Sequence, residues 1–245
     1  MSKLRIKVIN WGIFPFPFDE KKIENWKSNI FEICGEIETH RINIKSDGVY
    51  HEFSDKSILN DLPKPGECDF LVAITNVPLE LNWFTRRIGV KTVIFTYSEL
   101  NDLLEIRNIP LENLALRLLY SFSIIYKRFG NSFPLSSETT NFTHSDTRHC
   151  LFDFNGIKTD VIYSAVKPIL CDECYSKLQK EKLSKNTLDQ IRKELKKINK
   201  KPYTRIKEFI DEKPFLSIAI STISVIILGL ISALIYDLYI KGFIN

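Results

Sequence analysis

Histidine is scarce in this chain, with four among 245 residues. That supply leaves little material for a hydrolytic metal site beside a structural one. There is no Gly-rich phosphate loop, nucleophile elbow or kinase-type motif, so the commonest hydrolase and phosphotransferase signatures are absent. Internal repeats and low-complexity tracts are also missing. The opening MSKLRIKVIN alternates apolar and polar residues and lacks the continuous apolar run of a secretory signal. Charge is absent from one long segment: Phe215 to Tyr236 runs twenty-two residues without Asp, Glu, Lys or Arg.

A helix of that length, at about 1.5 Å per residue, reaches roughly 30 Å, the thickness of a bilayer's hydrocarbon core. Core helices of soluble proteins are rarely apolar all round for so long. The segment is therefore read as one C-terminal transmembrane helix, an anchor over 214–240. Between Lys177 and Lys213 stand thirteen Lys/Arg against six Asp/Glu, which leaves 34 − 13 = 21 basic against 30 − 6 = 24 acidic elsewhere. By the positive-inside rule the N-terminal body faces the cytoplasm. Lys196, Lys197, Lys200, Lys201, Arg205 and Lys207 then form a membrane-surface cluster against anionic headgroups, in preference to a nucleic-acid footprint. A reducing compartment makes the five cysteines poor disulfide partners. Cys34 and Cys68 read as core cysteines.

The body has the composition of a globular domain with a real core. Leu4–Asn10 alternates as a half-buried strand, and Asp19 opens a helical stretch over Glu20–Cys34 with Ile23, Trp26, Ile30 and Phe31 at helical spacing. Glu36–Ile44 reads as a second strand. DFLVAIT (Asp69–Thr75) and VKTVIFTY (Val90–Tyr97) read as buried central strands. Helices are expected from Ser98 and over Leu111–Phe129. The fold class is α/β or α+β, with four segments: a body over 1–135, a zinc-binding module over 136–178, a basic juxtamembrane helix over 179–213, and the anchor.

The module carries the densest chemistry. Cys171 and Cys174 form a CxxC pair at the start of a helix, with His144, His149 and Cys150 upstream. Zn²⁺ takes four N or S donors in a tetrahedron, and His144, Cys150, Cys171 and Cys174 make a Cys₃His set for a structural zinc. His149 is the alternative imidazole, but neighbours in extended chain point to opposite faces, so only one of His149 and Cys150 reaches the ion. A CxxC alone also reads as a redox pair. Asp153 is expected to bond a backbone amide or Arg148.

His149-Cys150 followed by the Cys171/Cys174 pair resembles the tail of the archaemetzincins, metzincin-type zinc peptidases. In that family a third metal-binding His directly precedes a Cys of a second, four-Cys zinc site. DFLVAIT and VKTVIFTYSEL are similar to the two strands before the family's catalytic helix, so the resemblance spans residues 69–178. With His149 at the third His, the helical His positions fall at Thr139 and Thr143 and the general-base Glu at Thr140. No HExxH occurs in the chain. The second structural Cys falls at Asn155, with His144 as its replacement. The resemblance thus implies a structural zinc without peptidase chemistry.

Other signals concern association. NWGIFPFPF (Asn10–Phe18) reads as an aromatic lid on its own domain or as a partner contact. Trp83, Arg86 and Arg87 read as a solvated helix end or an anion-binding edge. Leu188, Ile191, Leu195 and Ile198 form a short heptad seam, for docking or for self-association. Ser217, Ser221, Ser224 and Ser232 share one face of the span, and Gly229 with Ala233 makes a small-xxx-small pair, so this face is read as an oligomerisation surface. The expectation is a tail-anchored zinc-binding protein acting by partner or ligand binding and association at the membrane, as membrane effectors of bacterial defence or toxin systems do. A membrane-anchored zinc hydrolase is the competing class.

Overall fold

A computed structural model describes residues 3–135, 138, 143–181, 183–199 and 202–236. The chain divides into two compact units, Met1–Asn199 and Lys200–Asn245.

The first unit is built on the alternation of its strands. In β1 (Leu4–Trp11), Leu4, Ile6 and Val8 join one core while Ile9 and Trp11 join another. β4 (Phe70–Thr75) divides in the same way, with Phe70, Val72 and Ile74 against Leu71 and Ala73. So does β6 (Thr92–Thr96), with Val93 and Phe95 against Ile94. A period of two on continuously apolar strands needs cover on both faces. One face packs on α4 (Leu111–Arg128), and the other on α2 (Asp55–Asp61) through Ile58. The strand order is β2-β1-β4-β6-β5, with β2 (Phe31–Ile33) and β3 (Glu38–His40) both beside β1. All pairings are parallel except that of β5 (Thr85–Gly89) with β6.

Three expectations about local structure are corrected. The helix expected over Glu20–Cys34 is only α1 (Glu20–Glu24), and its far end is β2. Asp19 does cap it, but Glu194 then draws in the Ser28 hydroxyl (2.6 Å) and the Asn29 amide (2.9 Å), and Phe31–Ile33 just beyond them pairs with β1. The strand expected over Glu36–Ile44 shrinks to β3. Arg86 and Arg87 lie on strand β5, not at a helix end, and the Arg86 guanidinium is committed to Asp55 at 2.8 and 2.6 Å.

The aromatic loop is a lid on its own domain: Phe14, Phe16 and Phe18 surround the Tyr97 ring at 6.1, 5.7 and 5.7 Å. Tyr97 follows β6 and donates its hydroxyl to the Leu111 carbonyl at the start of α4. After α3 (Leu100–Ile106) and α4 come α5 (Val161–Val166), α6 (Asp172–Lys180) and α7 (Lys185–Leu195). On α7 and just beyond it, Leu188, Ile191, Leu195 and Ile198 are buried in the same core as β1 and α4, so this seam docks on the body.

The second unit contains α8 (Pro202–Glu212) and α9 (Pro214–Ile235). α9 is long and apolar enough to cross a membrane, with a mean hydropathy of 2.6 and none of that stretch buried within the protein. The Ser217 and Ser224 hydroxyls donate to the carbonyls of Lys213 and Ile220 four residues back. Those protons therefore satisfy their own helix. Lys196 and Lys197 are exposed beyond the end of α7, and Arg205 and Lys207 are exposed on α8. Lys200 and Lys201 lie outside the described residues, as do Thr139 and Thr140.

Candidate metal centre

Two backbone devices assemble the site. Cys171 is the N-cap of α6, and its Sγ accepts the Cys174 amide at 3.4 Å. An N-cap and its third helical residue share one side of the first turn, where the partial positive charge favours thiolate. Upstream, Leu151 donates to the Ile169 carbonyl and Ile169 to the His149 carbonyl, each at 2.9 Å, which sets Cys150 beside the CxxC segment. The strand-like strap folds back so that His144 donates to the Phe152 carbonyl and accepts from Phe154. His144 thereby arrives at the same place.

The donor atoms of His144, Cys150, Cys171 and Cys174 all lie within 4.8 Å of one another, and all but half-buried Cys171 are buried. His144 Nε2 is 3.7 Å from Cys171 Sγ. A zinc tetrahedron with Zn–S near 2.3 Å sets neighbouring donors about 3.5–3.8 Å apart, so three thiols and an imidazole at this spacing fit zinc. The outer groups fit as well. His144 Nδ1 is 3.1 Å from the Asp146 carbonyl oxygen and 3.2 Å from Asp153 Oδ1, which leaves Nε2 for the sulfurs. Asp153 Oδ2 in turn accepts the Arg148 and Cys150 amides at 3.1 and 3.0 Å.

The electrostatics favour a bound cation. The S–H of Cys174 donates to Cys150 and, against burial, pulls the Cys150 thiol well below its ordinary value, while the same bond pushes Cys174 up. Burial depresses His144, but the Cys150 sulfur and the Asp146 carbonyl outweigh it and leave the imidazole raised. The direction at Cys150 favours thiolate, the form that binds metal.

His149 is outside the cluster. Its backbone has a φ of 62°, its side chain is exposed, and its ring lies 5.9 Å from that of Tyr163. Asn155 is buried with its side-chain atoms unpartnered, and does not join the four donors.

Arg117 is the buried charged neighbour of the site that the sequence pattern misses. It is 2% exposed in the middle of α4, and its Nη2 donates to the Cys150 carbonyl at 3.5 Å. Burial lowers it to about 10 against the pull of Asp153 and Cys150, so it stays cationic at neutral pH. Asn113, Arg117 and Ser121 recur every four residues, and Ser121 donates to the Leu151 carbonyl. The Leu residues flanking Arg117 conceal this polar line within an apolar run. Farther out, Lys158 pairs with Glu99 after β6 and donates to Asn82 ahead of β5.

The reading of Cys34 and Cys68 as reduced core cysteines is corrected, because the two are half-buried and joined as a disulfide with Cα atoms 6.6 Å apart. Cys34 follows β2 and Cys68 precedes β4. Both segments hydrogen-bond to β1, from the Cys34 amide to the Ile6 carbonyl and from the Asp69 amide to the Arg5 carbonyl. The sheet topology brings together residues 34 apart in sequence.

No family model and no curated protein matches this chain. Among solved structures, the crystal structure of archaemetzincin from Methanopyrus kandleri is similar at 16% identity and a TM-score of 0.46, covering 74% of this chain and 96% of that one.

Proposed function

We propose that this chain is a tail-anchored cytoplasmic protein whose zinc is structural and which acts by binding and membrane-localised association, not by hydrolysis. The closed donor set carries the reading. His144, Cys150, Cys171 and Cys174 supply the four ligands that complete a zinc tetrahedron, whereas a hydrolytic zinc keeps an open position beside a general base. In this reading α9 spans the bilayer and Lys196, Lys197, Lys200, Lys201, Arg205 and Lys207 lie against anionic headgroups. The body receives a protein or small-ligand signal. Association of spans through the serine stripe of Ser217, Ser221, Ser224 and Ser232 and the Gly229/Ala233 pair on the adjoining side then carries the response, in the manner of a membrane effector of bacterial defence or toxin systems.

The test is the stoichiometry of the fluorescently labelled full chain in liposomes, counted by photobleaching steps. A Cβ added at Gly229 meets no atom within 4 Å, so Gly229→Leu disturbs a partner helix and not this one. Multi-step bleaching in the wild type and single steps in Gly229→Leu are expected. A wild-type protein that stays monomeric at every protein-to-lipid ratio would overturn association as the output.

A further inference from the structure

α4 and α7 do not close completely against the start of β1. A cavity of about 250 Å³ remains between them. Its floor is aliphatic, from Leu4, Ile30, Ile124, Leu183 and Ile191. Asn29 and Asn186 offer amides at its edge, and Lys127 brings the one cation among its lining residues. Lys127 is half-buried and has no ion pair or side-chain hydrogen bond among the described residues, while its neighbour Arg128 takes Glu181. Among the described residues no anion is paired with this ammonium, so the cavity offers a cation beside its aliphatic lining. The adjoining recess of about 490 Å³ makes a contrast. It mixes Lys3, Lys27 and Lys197 with Glu24, Glu32 and Glu194, so it selects neither sign of charge.

We propose that the cavity between α4 and α7 binds a small amphipathic monoanion, its acidic head on Lys127 and its apolar body on the aliphatic floor. Ligand pockets usually run about 300–1,000 Å³, so this one takes a compact molecule with a single ring or a short chain. Asn186, Gln190 and Ile191 of α7 and Ile124 and Lys127 of α4 contribute to the same cavity, so a ligand there clamps α7 to the sheet and α4. The proposal rests on the proposed function, in which the body receives a signal, and it names the chemistry and the place of a small-ligand signal.

The experiment is calorimetric titration of the full chain in lipid nanodiscs with 3-phenylpropionate, with empty nanodiscs as the blank. The neutral 3-phenylpropanamide serves as the uncharged control. Lys127→Gln removes the charge, and Asn186→Trp plugs the mouth from an exposed position; melting curves check that both variants fold. Saturable binding of the acid is expected, about tenfold weaker in Lys127→Gln and for the amide, and lost in Asn186→Trp. No saturation above the blank up to ~10 mM acid would overturn the site. So would equal affinity of the wild type and Lys127→Gln, or of the wild type and Asn186→Trp. Gly229-dependent association without acid binding removes this site and leaves the proposed function standing. Acid binding by a chain that remains monomeric in liposomes does the reverse.

Discussion

The Nε2 atom of His144 lies 3.7 Å from the Sγ of Cys171, across twenty-seven residues of chain. Neither residue reaches that position by local structure alone. His144 is carried by a strap that folds back on Phe152 and Phe154, and Cys171 by the cap of α6. Cys150 joins them only because Ile169 pairs with its neighbours. Metal binding is therefore linked to the folding of the whole 144–174 segment.

The full chain purified without chelator is expected to carry one zinc, and a Cys171→Ser/Cys174→Ser variant none. Losing a structural ion should lower the melting temperature by about 10 °C or more, since 1 kcal/mol moves a domain of this size by roughly 2–4 °C. His144→Ala should also lose stability, which a purely catalytic ligand would not require. Elemental analysis beside calorimetric melting decides it, and equal zinc in the wild type and the double variant would sink the assignment.

Arg117 gives a second, independent handle. Three thiolates and a neutral imidazole around Zn²⁺ sum to −1, and Asp153 adds another negative charge in the same buried region. Arg117 is the buried cation that touches it, through the Cys150 carbonyl. Arg117→Met, close in volume but uncharged, should weaken zinc retention by about ten- to a hundredfold, the usual effect of an outer-shell partner. Arg117→Lys should recover part of this, although it lacks the planar fork. Competition against a chromophoric chelator measures the change, and an unaltered affinity would show that Arg117 serves packing only.

The central strands and α4 were legible because they are long and apolar, and the CxxC with an upstream His and Cys was legible because ligand chemistry is local. What escaped was whatever tertiary contacts decide. β5 carries Thr85, Arg86 and Arg87 on an edge and has no apolar signature, so only its pairing with β6 makes it a strand. β2 lay inside a convincing helical period until Glu194, more than 160 residues away, claimed Ser28 and Asn29. Arg117 was hidden for the opposite reason, since an amphipathic reading of α4 allots it a wet face, but almost all of that helix is buried.

Glu194 contributes to the acid sensitivity of the body. Burial works against its charge, but donors from Gln190, Ser28, Tyr120 and the Asn29 amide outweigh it and hold the carboxyl below its ordinary 4.5. A folded-state value below the unfolded one means stability that is complete above about pH 4.5 and lost as pH falls through the depressed value. Each carboxylate oxygen accepts two donors, so in Glu194→Gln either amide orientation turns an NH₂ toward two of them. A loss of about 2–4 kcal/mol at pH 7 is expected, with the gap between wild type and variant closing below about pH 4.5. Melting across pH 3.5–7 tests it, and a gap of constant size over that range would show that the charge is not what matters.

If α9 spans a bilayer as proposed, the Cys34–Cys68 bond bears directly on which side the body occupies. Disulfides persist in oxidising compartments, whereas the thiolate cluster and the Lys/Arg excess before α9 both favour the reducing, cytoplasmic side. On that side the pair should be open in the cell and close after lysis, since its Cα separation of 6.6 Å lies within the range a bridge accepts. Acid quenching freezes thiol exchange because only thiolate reacts. Cells quenched this way, denatured and treated with a maleimide-linked polymer should give a chain shifted by all five cysteines. The purified, air-exposed protein should be shifted by three, with Cys150, Cys171 and Cys174 labelled. A shift of three already present in quenched cells would place the body in an oxidising compartment, reverse the orientation of α9, and remove the basic cluster from the cytoplasmic leaflet.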